Sequence, residues 1–285
     1  MFASVIFTTY NHPQWLEKTL WGFSAQTYRD FEIIVADDGS GQETCDLVES
    51  LRSQIDIPIQ HLWQEDNGFQ KCRILNKAIV ASRGEYLIFT DGDCIPHPDF
   101  VKNHVELAAE DSLLSGGYFK LPLEVARAIT RQDIFSGNCT RPGWLLKHGV
   151  PFTPKIVKLF SHPVIGAILD ALTITRATWN GHSSSTWKKH IITTNGFDER
   201  MQYGGQDREF GERLMNMGIK TRRFATAAAA CTWITDAATR TQNRLLKTGA
   251  FANIPGNIES RAPITVSSRN WNNLWINPDP CPRLN

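Results

Sequence analysis

Residues 84–93 read GEYLIFTDGD, and this stretch decides the fold. Tyr86 to Thr90 form a β-favouring, largely apolar run that follows a glycine and stops at Asp91-Gly92-Asp93. A short run of this kind, closed by a turn signal, reads as a strand buried on both faces. Two carboxylates one residue apart, just past such a strand, suit a hard divalent cation. Magnesium and manganese take oxygen ligands and keep waters or substrate phosphates in the rest of their shell. The glycine between the acids lets a diphosphate approach the backbone. Alone, Asp-x-Asp is most often a turn; its place at a strand end gives it weight.

The same grammar runs upstream. Residues 3–8 (ASVIFT) read as a strand, and Pro13 opens a helix to about Gln26 with Trp15, Leu16, Thr19, Leu20 and Phe23 at helical spacing. Residues 31–36 (FEIIVA) form a second strand, closed by Asp37-Asp38-Gly39-Ser40. A helix over 43–54, a strand over 57–62 and a helix over 70–81 lead to the fourth strand at 85–90. Alternating strands and helices predict parallel strands covered on both faces. In such sheets ligands bind beyond the carboxyl ends of the strands. Thr8-Thr9-Tyr10-Asn11, the 37–40 turn and Asp91-Gly92-Asp93 all fall there.

Downstream the pattern weakens between about 123 and 176. Residues 141–172 carry Lys147, Lys155, Lys158 and His162 among apolar residues, followed by an apolar run over 164–172. Two readings apply: a surface that rests peripherally on a membrane, and a helical insertion packed on the core, which the sequence favours. Residues 195–200 are turn-rich, 206–217 read as a helix and 219–224 as a strand. Beyond Ala225 the pattern decays.

Of 285 residues, 41% are hydrophobic and 21% charged, ordinary for a globular chain, and the net charge of +1 gives no global field for nucleic acid. The six cysteines show neither zinc-site nor disulfide spacing, so reduced thiols are expected. No run of 18 apolar residues and no leader pattern is present, so a cytoplasmic protein is expected. A dinucleotide fingerprint, a P-loop and a G-x-S-x-G elbow are all missing.

Each candidate residue also has a structural reading. Asp38 sits in good turn and capping chemistry, yet it is also placed to accept a hydrogen bond from a base or ribose. Arg73 reads as a solvated helical charge or as a diphosphate partner. Asp207, after Gly204-Gly205-Gln206, is a favourable acid at a helix N-terminus or a general base for an acceptor hydroxyl.

The motifs SVIFTTYN (4–11), DDGS (37–40), NGFQKCRILN (67–76), GEYLIFTDGD (84–93) and NGFDERMQYGGQD (195–207) stand in family order. Over residues 3–224 the chain resembles family 2 glycosyltransferases of bacterial envelope polysaccharide or lipopolysaccharide synthesis, with a galactosyltransferase-like C-terminal segment. The resemblance implies a GT-A fold, an α/β architecture with a mixed, mostly parallel sheet flanked by helices. It implies a nucleotide-sugar-binding half (1–122), an acceptor-binding and catalytic-base half of the same domain (123–224) and an irregular tail (225–285). It places Thr8, Tyr10 and Asp38 at the uracil and ribose of a UDP-sugar and Arg73 at the nucleotide or its diphosphate. Asp91 would lie by the ribose and metal, and Asp93 would ligate Mn2+ or Mg2+. Asp207 would be the base of an inverting transfer. Asn180, His182 and Trp187 fall where the family lines the acceptor side. The acceptor would be a saccharide or glycolipid at the inner face of a bacterial membrane.

Two departures stand out. Gln206 replaces the family's usual Glu, and no histidine follows His190, where the family supplies a metal-binding one. Residues 229–239 (AACTWITDAAT) are compatible, in a neighbouring reading frame, with Cys-Leu-His-Leu-Asp-His-Arg-Arg-Gly-Tyr. The tail from about Thr226 therefore reads as a frameshifted product. A catalytically impaired relative that binds nucleotide-sugar is the alternative expectation.

Overall fold

The computed structural model describes residues 1–159, 177–201 and 204–224. Seven strands are described: β1 (Ala3–Thr9), β2 (Phe31–Asp37), β3 (Ile59–Trp63), β4 (Tyr86–Asp91), β5 (Ser112–Gly116), β6 (Ser184–Trp187) and β7 (Lys220–Phe224). They form one sheet in the order β3-β2-β1-β4-β6-β5-β7. The helices are α1 (Pro13–Ser24), α2 (Gln42–Arg52), α3 (Lys71–Ala81), α4 (Phe100–Glu106), α5 (Leu123–Ala128), α6 (Arg131–Phe135), α7 (Pro142–Lys147), α8 (Lys188–Thr193) and α9 (Gln206–Asn216).

Strand pairing is parallel for β1 with β2 and β4, β2 with β3, and β5 with β7; β6 runs antiparallel to both β4 and β5. The expected mixed, mostly parallel sheet is present. β1, β2 and β4 are buried almost throughout, which is why their sequences lack polar alternation. Their side chains still alternate between two cores. Val5, Phe7, Ile33, Val35 and Ile88 pack with Leu16, Leu20 and Phe23 of α1 and Val48 of α2. Ile6, Ile34, Ala36, Leu87 and Phe89 pack with Ile74, Leu75 and Ala78 of α3 and with Phe210 and Leu214 of α9.

α1 stops at Ser24 because Gln26 turns inward as a buried staple. Its Nε2 donates to the Gly22 and His97 carbonyls, and its Oε1 accepts from the Val101 N–H. β5 and β6 escape the sequence reading for a physical reason. Residues 184–187 read SSTW, yet Ser184, Ser185 and Thr186 are fully buried. Their hydroxyls find partners inside: Ser185 Oγ meets Tyr86 Oη at 2.8 Å and His104 Nδ1 at 2.7 Å, and Thr186 Oγ1 donates to the Ser112 carbonyl.

Within 141–159 the helical-insertion reading holds. Leu145, Val150, Ile156 and Leu159 pack with Ile95, Phe119 and Leu121 in a third apolar cluster. The 164–172 run and the 225–285 tail, with its frameshift reading, lie outside the described residues. Among the described residues no helix is long and apolar enough to cross a membrane. Cys72, Cys94 and Cys139 are buried thiols without a disulfide, but Cys45 is disulfide-bonded, which corrects the expectation of reduced thiols throughout.

Candidate active site

Sheet register brings the polar motifs side by side. Thr8 pairs with Asp91 across β1 and β4, and Thr9 pairs with Asp37 across β1 and β2. Gly92 follows so closely that its N–H donates to the Thr8 carbonyl at 2.9 Å, and a Cβ there would stand 2.7 Å from that oxygen. The glycine between the two acids is therefore demanded by the end of β1 itself.

In the 37–40 turn the two acids divide the work. Asp37 serves the turn: its Oδ1 accepts from the Ser40 N–H at 2.8 Å, and its Oδ2 meets His61 Nε2 at 2.9 Å. Asp38 accepts from Gln64 Nε2 at 2.6 Å and from the Gln70 N–H at 2.9 Å, tying the end of β3 to the start of α3. Burial raises the Asp38 carboxyl above its ordinary range, against the pull of those two hydrogen bonds. Gly39, at φ +99°, lies where a Cβ would meet the Asp66 backbone at 2.6 Å. Tyr10 is 46% exposed at this rim and donates from Oη to Asp66 Oδ2 at 2.8 Å.

One residue at the centre of the site was not singled out from sequence. Lys71, the first residue of α3, places Nζ 2.7 Å from Asp91 Oδ1, with its side chain 17% exposed. Thr8 Oγ1 donates more weakly to the same oxygen at 3.4 Å. Burial weakens the hold of Lys71 on its proton, but Asp91, Asp207 and Asp93 together outweigh it and hold the proton more firmly than usual. Asp93 is pushed up to about 7, first by burial and then by Asp91, with Lys71 opposing. Arg73, two residues on, is exposed and donates to Gln70 Oε1 at 3.3 Å; the structure does not bring it to the carboxylates. The signal for Lys71 was its place at the helix start, inside a motif whose arginine drew the attention.

Asp207 reaches this cluster from the other end of the chain through a clasp. Asn76 of α3 donates to the Phe197 carbonyl and to Glu199 Oε1, and accepts from the Phe197 N–H, each at 2.9 Å. Phe197 stacks on Phe210 of α9 with ring centroids 4.2 Å apart, and Trp179 meets Phe210 edge-on at 4.8 Å. The 195–199 motif is thus mainly packing hardware that seats α9 against the sheet. Asp207 Oδ2 accepts from the Gly181 N–H at 3.1 Å. Its Oδ1 is shut from solvent with no hydrogen-bond partner among the described residues, and so is the Oε1 of neighbouring Gln206. Burial raises the Asp207 carboxyl, Lys71 pulls it back, and Asp91 raises it again.

The remaining acceptor-side candidates separate. His182 sits beside Gly181 and packs edge-on against Tyr118 at 4.4 Å. The Asn180 amide is spent inside the protein: Nδ2 donates to Ser115 Oγ and the Gly116 carbonyl, and Oδ1 accepts from the Ser183 N–H. Trp187 is not brought to the site. It pairs with Tyr86 at the opposite end of β4, five strand steps or roughly 16 Å from Asp91. The antiparallel run of β6 carries it there.

The donor set fits a divalent cation. Asp91 and Asp93 supply hard oxygens, and Asp93 is a buried carboxyl short of positive charge. Among the described residues no third acid, histidine or cysteine joins them at ligating distance.

Residues 4–144 match the model of "Glycosyl transferase family 2". Chondroitin synthase from Escherichia coli is 28% identical over 247 residues, covering 79% of this chain and 34% of that protein. The fold is similar to the mannosyltransferase PcManGT from Pyrobaculum calidifontis, solved with GDP-Man and Mn2+ (TM-score 0.57, 19% identity, 86% of this chain and 60% of that one). It is equally similar to S. aureus TarS 1-349 with UDP-GlcNAc (TM-score 0.57, 17% identity, 85% and 61%). The chain spans about a third of the chondroitin synthase and about three-fifths of the two solved chains. With the strand-end carboxylates, the sheet order and these matches together, residues 4–144 are a family 2 glycosyltransferase domain, within a GT-A fold.

Proposed function

We propose that this chain transfers a sugar from a UDP-sugar to a saccharide hydroxyl with inversion, using a divalent cation, Mn2+ or Mg2+. The observation that carries the reading is the convergence of Asp91, Asp93 and Asp207 around one lysine, with buried acceptor atoms on Asp207 and Gln206 that have no donor among the described residues. An acceptor sugar brings hydroxyl donors to such atoms.

In this reading Thr8, Tyr10 and Asp38 line the nucleoside rim at the ends of β1 and β2. Asp91 and Asp93 would hold the cation, which when bound neutralises charge on the diphosphate. Asp207 takes the proton of the acceptor hydroxyl. The acceptor oxygen bonds to the sugar's anomeric carbon as the bond to the UDP oxygen breaks, and UDP departs with that electron pair. The Gly181 N–H fixes Asp207 Oδ2, which leaves Oδ1 for the proton. Gln206, with His182 at the rim, faces the acceptor. Arg73, Asn180 and Trp187 have no part in it. UDP-GlcNAc in one similar fold supports a nucleotide-sugar donor, and the likeness to a chondroitin synthase supports a saccharide or glycolipid acceptor of envelope polysaccharide synthesis.

A second reading, a relative that binds nucleotide-sugar with little turnover, is favoured by one observation: no histidine follows His190. One experiment separates the two. UDP release is measured from a panel of UDP-sugars with Mn2+, Mg2+ and chelator, beside Asp93→Ala. Metal-dependent release that Asp93→Ala abolishes supports the transferase. UDP binding without release from any donor supports the second reading.

A further inference from the structure

Lys71 stands in an odd place for a helix. It is the first residue of α3, where the exposed N–H groups and the helix dipole disfavour a cation. The helix gains nothing from it, so the reason for a lysine there lies across the gap, at Asp91. The ion pair is short, at 2.7 Å, and largely covered, with side-chain exposures of 17% for Lys71 and 24% for Asp91. Asp207 and Asp93 add to the field that holds the ammonium. The oxygen that Lys71 grips, Oδ1 of Asp91, also accepts from Thr8 Oγ1. One oxygen of the proposed cation ligand is therefore engaged before any ligand arrives.

We propose that Lys71 is a built-in counter-ion that competes with the divalent cation for Asp91. The inference rests on the reading of Asp91 and Asp93 as the cation's holders. While the nucleotide is absent, Lys71 neutralises the cluster and keeps Asp91 aligned. A cation that takes Asp91 must compete with the Lys71 ammonium for the same carboxylate, and a free cation in water has little to offer in exchange. A cation arriving with a nucleoside diphosphate brings anionic oxygens to which the released ammonium can turn. The consequence is an order of binding: cation alone binds weakly, and cation with UDP binds well. This is a coupling between two ligands set by one residue. Lys71 is a positioning residue in this account, and its removal acts in an unusual direction, tightening a ligand.

The test is titration calorimetry of Mn2+ into the full chain, with and without UDP, for the wild type, Lys71→Gln and Asp93→Ala. Thermal melting checks that each variant is folded. Lys71→Gln is expected to tighten Mn2+ binding without UDP by about tenfold or more, and to shrink the gain that UDP brings. A merely structural lysine would weaken Mn2+ binding or leave it unchanged, and either result overturns the proposal. Should Lys71→Gln not fold, Lys71→Arg, which keeps the charge, is measured: affinity within about threefold of wild type supports the competition, and a tightening overturns it. The underlying site reading fails separately. Mn2+ that does not bind the wild type even with UDP, or that binds Asp93→Ala equally well, removes the cation site itself.

Discussion

At the donor end of the sheet the acids are already bonded. Asp37 holds Ser40 and His61, Asp38 holds Gln64 and Gln70, and Asp91 holds Lys71. At the proposed acceptor end, Gln206 Oε1 and Asp207 Oδ1 lie covered with no donor among the described residues. The first region is a framework that stays in shape without a ligand. The second carries the cost of buried, unsatisfied acceptors, and a hydroxylated ligand relieves it. In the proposed reading, the difference teaches where substrate would meet a ready-made surface and where it would complete the protein's own hydrogen bonding.

The strongest attempt to break this contrast is Asp207→Asn. It removes the proposed base and leaves the donor-end hydrogen bonds in place. The expected loss in kcat is about 10²- to 10⁴-fold, with UDP affinity unchanged in calorimetry. A parallel fall in UDP affinity would mean that the two ends are one unit. Next comes Phe197→Ala, which dismantles the clasp between them. Deleting a buried phenylalanine costs about 3–5 kcal/mol, read as a lower urea midpoint.

A pH series sharpens the comparison at the donor end. In the absence of metal, Asp93 keeps its proton up to about 7, whereas a carboxyl in the unfolded chain releases it near 3.8. The native state thus holds a proton that the unfolded chain has lost. Stability from this group is full at acid pH and is lost as pH rises through about 7. In chelator, Asp93→Asn is expected to flatten that part of the melting-temperature profile. An unchanged slope would place the strained charge elsewhere. The smallest effect belongs to Arg73→Ala: stability within about 0.5 kcal/mol of wild type and unaltered UDP binding.

Legibility in the sequence followed the same division. Strands buried on both faces announce themselves as apolar runs, so β1, β2 and β4 and the acids at their ends were readable. Asp91 could be found because it ends a strand. Lys71 could not, because its meaning depends on a pairing between the start of α3 and the end of β4. Beyond residue 100 the signals fade for definite reasons. β6 hides its burial behind hydroxyls that are satisfied internally, and β5 is a five-residue SLLSG. Trp187 was read as an acceptor residue because sequence order says nothing of strand direction. Asn76 and the 195–199 turn were both visible as motifs, but their mutual hydrogen bonds span 121 residues.

The placement of β6 between β4 and β5 bears on how the chain is made. Once the first hundred or so residues have left the ribosome, β3, β2, β1 and β4 have all their parallel partners. The outer edge of β4 does not. Its cover is a strand encoded roughly a hundred residues later, about 5–20 s of synthesis at ordinary rates. For that interval the nascent protein carries an unpaired, apolar strand edge, the kind of surface that other chains can join. Slow translation between these two segments would lengthen the exposure, and chaperone dependence should concentrate in that window.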